Sequence, residues 1–226
     1  MSAQINRRDL PWVVLISVSF IFGLVVSWER WGNPLVDCGR EMNQPLRLAR
    51  GEMLYSQVRH IYGPLSPYLN ALLYRIFGAS LGVLYADGII TALVIIGLVY
   101  WLARQLMGRA PSAAAALSVM WICAFKQAGN YVLPYSYSAL HGCALGLASL
   151  ALLVKAAAAR QSTAEEGFTG KQPTAKYLMS AGVIAGLTVL AKTEMGFAAV
   201  STGVAAASII FYPHLKRSLG SVAGLT

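Results

Sequence analysis

The sequence predicts an all-α polytopic membrane protein, with about six transmembrane helices and short interfacial helices in its first external loop. Of its 226 residues, 57% are hydrophobic and 12% are charged, whereas soluble domains carry about 25% charged residues. Long apolar runs alternate with short basic stretches, which is typical of the membrane class. The net charge of +9 is scattered between those runs, which favours charges that orient helices in a bilayer and argues against a nucleic-acid partner.

Six apolar runs are candidate spans, because a spanning helix needs about 20 mostly apolar residues. They are Pro11–Trp28, Leu81–Ala103, Ser112–Phe125, Ser138–Ala158, Tyr177–Ala191 and Met195–Tyr212. The first run ends in the bulky, charged stretch Ser27–Trp31 and has no small-residue cleavage site. We therefore interpret it as a retained anchor, and we treat 1–226 as a single transmembrane domain.

Basic residues outside the spans predict the orientation of the chain. With six spans, three basic pairs fall on one side of the membrane: Arg7/Arg8, Arg104/Arg109 and Lys216/Arg217. The positive-inside rule makes that side cytoplasmic. We expect an integral protein of the plasma (inner) membrane, with a flexible cytoplasmic loop at 159–176 and with 29–80 facing the periplasm or exterior.

Segment 29–80 contains two predicted short helices. Pro64 and Pro67 suit a first helical turn and Gly78 a helix end, so 63–78 is predicted as a helix. It is short and interrupted by polar residues, which favours an interfacial helix; the alternative, a further span, would invert everything after it. A second short helix is predicted from Pro45 to about Gly51.

The most informative residue of this segment is Asp37, nine residues after Trp28. An acid at the mouth of a membrane helix, followed by arginines, indicates an active-site loop that handles an anionic group such as a phosphate, which Arg can bind bidentately. Asp37 and Glu41 lie one turn apart if helical and would face one site. The predicted phosphate partners are Arg40, Arg47, Arg50, Arg59 and His60.

Purely structural interpretations of these residues remain open. Asp37 can be a solvated loop acid or an ion-pair partner of Arg40, and the arginines can contact lipid headgroups. Lys192 and Glu194 lie in a predicted outer turn, where charge is often functional, or they pair with each other. Asp87 lies about two turns into the second span, and it either faces the active-site cavity or pairs with Arg75 or Lys126.

Several stretches resemble a known family. The matching motifs are Asp37–Glu41, Gly51–Tyr55, Tyr62–Gly78 and Ala185–Glu194. They resemble the first external loop and a later helix end of the GT-C superfamily of integral membrane glycosyltransferases, which includes the protein O-mannosyltransferases and the lipid A aminoarabinose transferases. The resemblance covers most of 11–212 and corresponds to the N-terminal portion of that fold, so we expect a truncated chain that is inactive alone.

The resemblance implies transfer of a sugar from a polyprenyl-phosphate donor to a glycan, lipid or protein acceptor outside the cytoplasm. Asp37 and Glu41 would be catalytic, and Tyr62, Lys192, Glu194 and Asp87 would join the basic residues in substrate binding. A divalent metal, Mg or Mn, at Asp37/Glu41 is a further hypothesis, since hard cations take carboxylates. The alternative function is a non-enzymatic membrane protein such as a lipid or solute carrier subunit. Carriers concentrate polar groups near the bilayer midplane, whereas here these groups cluster in the predicted outer loops, which favours the enzyme.

Overall fold

The computed structural model describes residues 6–30, 38–126, 129–166 and 173–223, with side chains for all of these except 162–166, 173 and 211–223. The described residues form eight α-helices and no strands. Their bounds are α1 Leu10–Ser27, α2 Cys38–Ala49, α3 Leu65–Phe77, α4 Leu81–Leu106, α5 Arg109–Val119, α6 Tyr137–Glu166, α7 Pro173–Ala191 and α8 Thr193–Ala223. The all-α prediction is confirmed for this part of the chain.

Within the described ranges, five helical stretches are long and apolar enough to cross a membrane: Arg7–Ser27, Leu81–Leu106, Tyr137–Gln161, Thr174–Ala191 and Thr193–Ile210. The remaining predicted span, Ser112–Phe125, lies in α5 and the π-helical turn over Met120–Ala124 that follows it. At 1.5 Å per residue, 109–124 extends about 24 Å, less than the roughly 30 Å hydrocarbon core of a bilayer. Length and composition thus support five of the six predicted spans among the described residues.

A buried charge cluster defines one end of the helix bundle. Asp9, which is 0% exposed, accepts hydrogen bonds from Arg104 Nε at 2.9 Å and Tyr100 Oη at 3.0 Å. Arg109 Nε lies 3.5 Å from the same carboxylate oxygen. The cluster brings the start of α1, the end of α4 and the start of α5 together, as expected if the basic pairs at 7/8 and 104/109 share one side.

Helix α5 packs against both α4 and α1. Their shared core includes Phe20, Ile96 and Met120. The segment 129–136, which follows the π-helical turn, lies at the end of the bundle opposite Asp9, where Leu133 packs against Cys38 and α6 begins. Helices α6, α7 and α8 pack against one another and complete the bundle. The polar stretch 159–176, predicted as a loop, is helical over its described parts, 159–166 and 173–176.

Segment 38–80 covers the end of the bundle opposite Asp9. Helix α2 begins at Cys38, earlier than the predicted start at Pro45, and Pro45 lies inside it. Its buried residues recur every three or four positions, which fits an amphipathic helix. Arg75 on α3 donates hydrogen bonds to the carbonyls of Ala49 and Leu48 and so closes the carboxyl end of α2.

Helix α3 confirms the predicted helix at 63–78. Its 13 residues extend about 20 Å, too short to cross a bilayer. The polar residues Ser66 and Asn70 are buried, whereas Leu72 and Ile76 are 52% and 60% exposed. An outward apolar face is the arrangement expected of a helix that lies on a membrane surface.

Candidate functional site: a basic cleft beside an aromatic pocket

The helix α2 and the turn that follows it form a basic cleft of about 440 Å³. Arg40, Asn43, Gln44 and Arg47 are spaced so that they line one side of α2. Residues 58–61 form the opposite wall and include Arg59 and His60. The cleft therefore gathers three arginines and one histidine. Among the described residues it is lined by Arg40, Asn43, Gln44, Arg47, Val58, Arg59, His60 and Ile61, none of which is a carboxylate.

Gln44, on α2, joins this helix to the opposite wall of the cleft. Its side-chain nitrogen donates to the carbonyl of Arg59 at 2.7 Å, and its Oε1 lies 3.1 Å from Nδ1 of His60. Because the amide oxygen can only accept, Nδ1 of a neutral His60 carries the proton. Burial lowers the pKa of His60 below its usual 6.5, the guanidinium of Arg40 lowers it further, and a hydrogen bond with the backbone of Gly63 opposes both.

Arg47 is held at the open side of the cleft. Its Nε donates to Oε2 of Glu52 at 2.7 Å and its Nη2 donates to the carbonyl of Gln57 at 2.8 Å. The Arg47–Glu52 pair is about one-third exposed on each side, so it orients the guanidinium and adds little to stability. A guanidinium has five N–H donors, which leaves donors for an anionic ligand.

Arg40 is held more firmly, by a buried carboxylate. Glu41 is 5% exposed, and its Oε1 accepts from Nε and Nη2 of Arg40 at 3.2 and 3.1 Å. Its Oε2 accepts from the backbone N–H of Tyr137 at 3.0 Å. Burial raises the pKa of Glu41, while the hydrogen bond from Tyr137 and the charge of Arg40 oppose that effect. Glu41 thus ties α2 to the first turn of α6.

An aromatic pocket of about 240 Å³ adjoins the basic cleft. Tyr131 and Tyr135 come from the segment before α6, Tyr62 from the segment before α3, and Lys192 from the turn between α7 and α8. The ammonium of Lys192 lies 4.8 Å from the centre of the Tyr62 ring, within the range of a cation–π contact. Asn130 Oδ1 accepts from the N–H groups of Val132 and Leu133 and shapes this segment.

Two contacts form the wall between the cleft and the pocket. The guanidinium of Arg40 lies over the ring of Tyr135, 5.4 Å from its centre, and donates to the Tyr135 carbonyl at 3.3 Å. The rings of His60 and Tyr62 meet edge to face, with centres 5.8 Å apart. A ligand with an anionic group and a ring could therefore contact both cavities at once.

A third cavity, an apolar groove of about 310 Å³, runs between α6 and α8. Its wall includes Gly142 and Gly146 on α6 and Ala198 and Thr202 on α8. It shares Cys143 and Met195 with the aromatic pocket. The groove therefore extends from the pocket toward the middle of the helix bundle.

Asp87 pairs with a residue that its sequence position did not suggest. Its Oδ2 lies 3.0 Å from Nε2 of His141, and both side chains are less than one-tenth exposed. The predicted partner Arg75 instead binds the end of α2. The ring of His141 also contacts Tyr137, whose backbone N–H binds Glu41.

The structure divides the predicted site residues into groups. Arg40, Arg47, Arg59 and His60 line the cleft, and Tyr62 and Lys192 line the aromatic pocket. Glu41, Asp87, Arg50 and Glu194 line neither cavity. Asp37 lies outside the described residues.

Sequence reasoning missed Gln44 and Asn130. No local signal marks Gln44, because its role depends on its contacts with Arg59 and His60. Asn130 follows Gly129, which has φ of 63°, and a Gly-Asn pair is a turn signal.

The described residues do not fit a divalent metal. They contain no group of three or more His, Cys, Asp or Glu side chains placed to hold an ion. Both oxygens of Glu41 already accept hydrogen bonds from Arg40 and Tyr137. The metal hypothesis for Asp37 and Glu41 thus finds no support in the surroundings of Glu41.

Comparison with known proteins gives no assignment, since no family model, curated protein or solved structure matches the chain.

Proposed function

We propose that the protein binds a polyprenyl-phosphate-linked sugar and takes part in transferring that sugar to an acceptor at the outer face of the membrane. The observation that carries the proposal is the basic cleft, in which three arginines and His60 converge. Guanidinium groups bind phosphate through paired, charge-assisted hydrogen bonds. The resemblance to the GT-C glycosyltransferases in 37–78 and 185–194 leads to the same reaction.

The neighbouring cavities suit the other parts of such a donor. The aromatic pocket presents three tyrosine rings and the polar side chains of Asn130 and Ser136, which suits a sugar ring. The groove between α6 and α8 is lined mainly by apolar residues and glycines, which suits a prenyl chain. All three cavities are connected through residues they share or through direct contacts.

The chemistry assigns a role to each charged group. The acceptor hydroxyl attacks the anomeric carbon, the bond from that carbon to the phosphate oxygen breaks, and the phosphate leaves with the electron pair. Arg40, Arg47 and Arg59 would stabilise the charge that develops on the leaving phosphate. A base must accept the proton of the hydroxyl, and Asp37 is the proposed base.

Binding and transfer test the proposal separately. Farnesyl phosphate, a short polyprenyl phosphate, is expected to bind the full chain in lipid nanodiscs, and Arg59→Ala is expected to weaken binding about 10- to 100-fold, as for loss of a charged hydrogen bond. Arg75→Ala is unsuitable as a control because Arg75 supports α2. Arg30→Ala, an exposed arginine outside the cleft, is the matched control. Equal affinity in all variants would refute the phosphate site.

Transfer is measured with a radiolabelled sugar donor in reconstituted vesicles. If the chain, alone or completed by the remainder of the fold, transfers sugar in that assay, Asp37→Asn is expected to reduce turnover by about 10²–10⁴-fold, the usual contribution of a positioned base, without weakening farnesyl phosphate binding. Full activity of Asp37→Asn would remove Asp37 from the mechanism.

A lipid-phosphate carrier subunit is the second candidate function. The observation that favours it is the apolar groove between α6 and α8, which suits a prenyl chain and adjoins the aromatic pocket. Tight farnesyl phosphate binding without sugar transfer, but with lipid phosphate moved between vesicle leaflets, would favour the carrier.

A further inference from the structure

Glu41 is a buried carboxylate next to the basic cleft, yet it lines neither the cleft nor the aromatic pocket. One oxygen accepts two hydrogen bonds from the guanidinium of Arg40, and the other accepts from the backbone N–H of Tyr137. A carboxylate with both oxygens engaged in this way is poorly placed to take a proton from an acceptor hydroxyl. Its hydrogen bonds instead hold the side chain of Arg40 and the backbone of Tyr137.

Arg40, the side chain that Glu41 holds, lies between the two cavities. Its guanidinium lines the cleft, lies over the ring of Tyr135 and donates to the Tyr135 carbonyl. Arg40 therefore forms the wall between the anion site and the aromatic pocket, and its position depends on Glu41 from one side and Tyr135 from the other. A long Arg side chain loses rotamer entropy when it is fixed, and a buried carboxylate held by α6 can offset that loss before a ligand arrives.

We infer that Glu41 is a positioning residue, which fixes Arg40 between the basic cleft and the aromatic pocket by joining it to the amino-terminal turn of α6. It thereby places one guanidinium where the phosphate–sugar linkage of the ligand would lie. The inference rests on the proposed function for its ligand, but the contact geometry of Glu41 and Arg40 stands without it. It replaces the catalytic role that the sequence suggested for Glu41.

The direction in which Glu41→Gln changes farnesyl phosphate affinity distinguishes a positioning role of Glu41 from a purely electrostatic one. Removing a negative charge beside an anion site strengthens anion binding by Coulomb's law. If Glu41 positions Arg40, however, Glu41→Gln weakens the binding of farnesyl phosphate, about tenfold for one impaired charged hydrogen bond. Glu29→Gln makes the same chemical change at an exposed position and is the matched control, for which unchanged or slightly tighter binding is expected.

A double-mutant cycle with Arg40→Gln identifies the route of the effect. If Glu41 acts through Arg40, adding Glu41→Gln to Arg40→Gln produces no further loss of farnesyl phosphate affinity. Adding Glu41→Gln to Arg59→Ala produces the full tenfold loss, because Arg59 is independent of Glu41. A loss caused by a loosened α6 would appear in both backgrounds and would overturn the inference, as would unchanged or tighter binding by Glu41→Gln alone.

A measurement without ligand keeps the two proposals distinguishable. Phenylglyoxal modifies accessible guanidinium groups, and mass spectrometry of the full chain in nanodiscs gives the rate at each arginine. We expect Glu41→Gln to increase the rate at Arg40 at least threefold and to leave Arg59 unchanged. An unchanged rate at Arg40 would refute positioning. If the unsubstituted chain bound no farnesyl phosphate while Arg40 still responded, only the proposed function would fail.

Discussion

The carboxylate of Asp9 and the guanidinium of Arg104 form a buried ion pair, with Oδ1 2.9 Å from Nε and with side-chain exposures of 0% and 12%. Asp9 precedes α1 and Arg104 lies in the last turns of α4. The pair therefore fastens the first helix of the chain to the helix that crosses the bundle after segment 38–80. Arg109 and Tyr100 complete its surroundings.

Asp9→Ala is expected to destabilise the protein strongly. Removing one member of a buried pair leaves its partner uncompensated, which costs about 3–5 kcal/mol. The measurement is the midpoint of thermal unfolding in detergent. Arg8→Ala, an exposed residue at the same end, should change it little. A double variant Asp9→Ala/Arg104→Ala that is no less stable than Asp9→Ala would confirm direct coupling, whereas additive losses would contradict it.

The cleft should respond to pH through His60. The pKa of His60 is lowered in the folded protein, so the unfolded chain binds more protons between the folded pKa and about 6.5. The contribution of His60 to stability is therefore present above about 6.5 and is lost as the pH falls through the folded pKa. Unfolding midpoints from pH 7.5 to pH 4.5 should fall less in His60→Gln than in the unsubstituted protein. Parallel profiles would exclude a perturbed His60.

Two glycines on α4 offer a matched test of how closely the segment 129–133 packs on that helix. A Cβ at Gly88 would lie 2.2 Å from the carbonyl oxygen of Val132, whereas one at Gly97 would meet nothing within 4 Å. Gly88→Ala should therefore destabilise the protein and distort the aromatic pocket. Gly97→Ala should be neutral or stabilising, since Ala is favoured over Gly in helices by roughly 0.5–1 kcal/mol. Equal unfolding midpoints would show that this segment can move away from α4.

Orientation in the membrane can be measured with single cysteines in a background free of Cys38, Cys123 and Cys143. Ser56 lies in segment 38–80 and Met107 at the end of the bundle that contains Asp9; both are exposed. Ser56→Cys in intact cells should react with an impermeant maleimide, and Met107→Cys should be protected. The reverse pattern would invert the proposed orientation and remove the lipid-linked donor from the outer face.

The sequence by itself determined the features that depend on local composition and spacing. Long apolar runs mark five spans because a helix across a bilayer must be apolar over its length. Prolines at 64 and 67 and glycine at 78 mark the ends of α3 because their backbone preferences act within one turn. The clustering of arginines in 40–59 predicted that several of them share one surface, and Arg40, Arg47 and Arg59 line one cleft, because neighbouring residues on a short helix and its following turn remain close in space.

Only the tertiary structure decided how these pieces combine. Glu41 contacts Tyr137 across 96 positions in the chain, and Asp87 contacts His141 across 54. Such contacts depend on which helices pack together, and helical spacing carries no information about partners so far apart. For that reason the arginines could be predicted as a group, whereas their separation from Lys192 and Tyr62 by the Arg40–Tyr135 wall followed only from the packing of α2 against the start of α6.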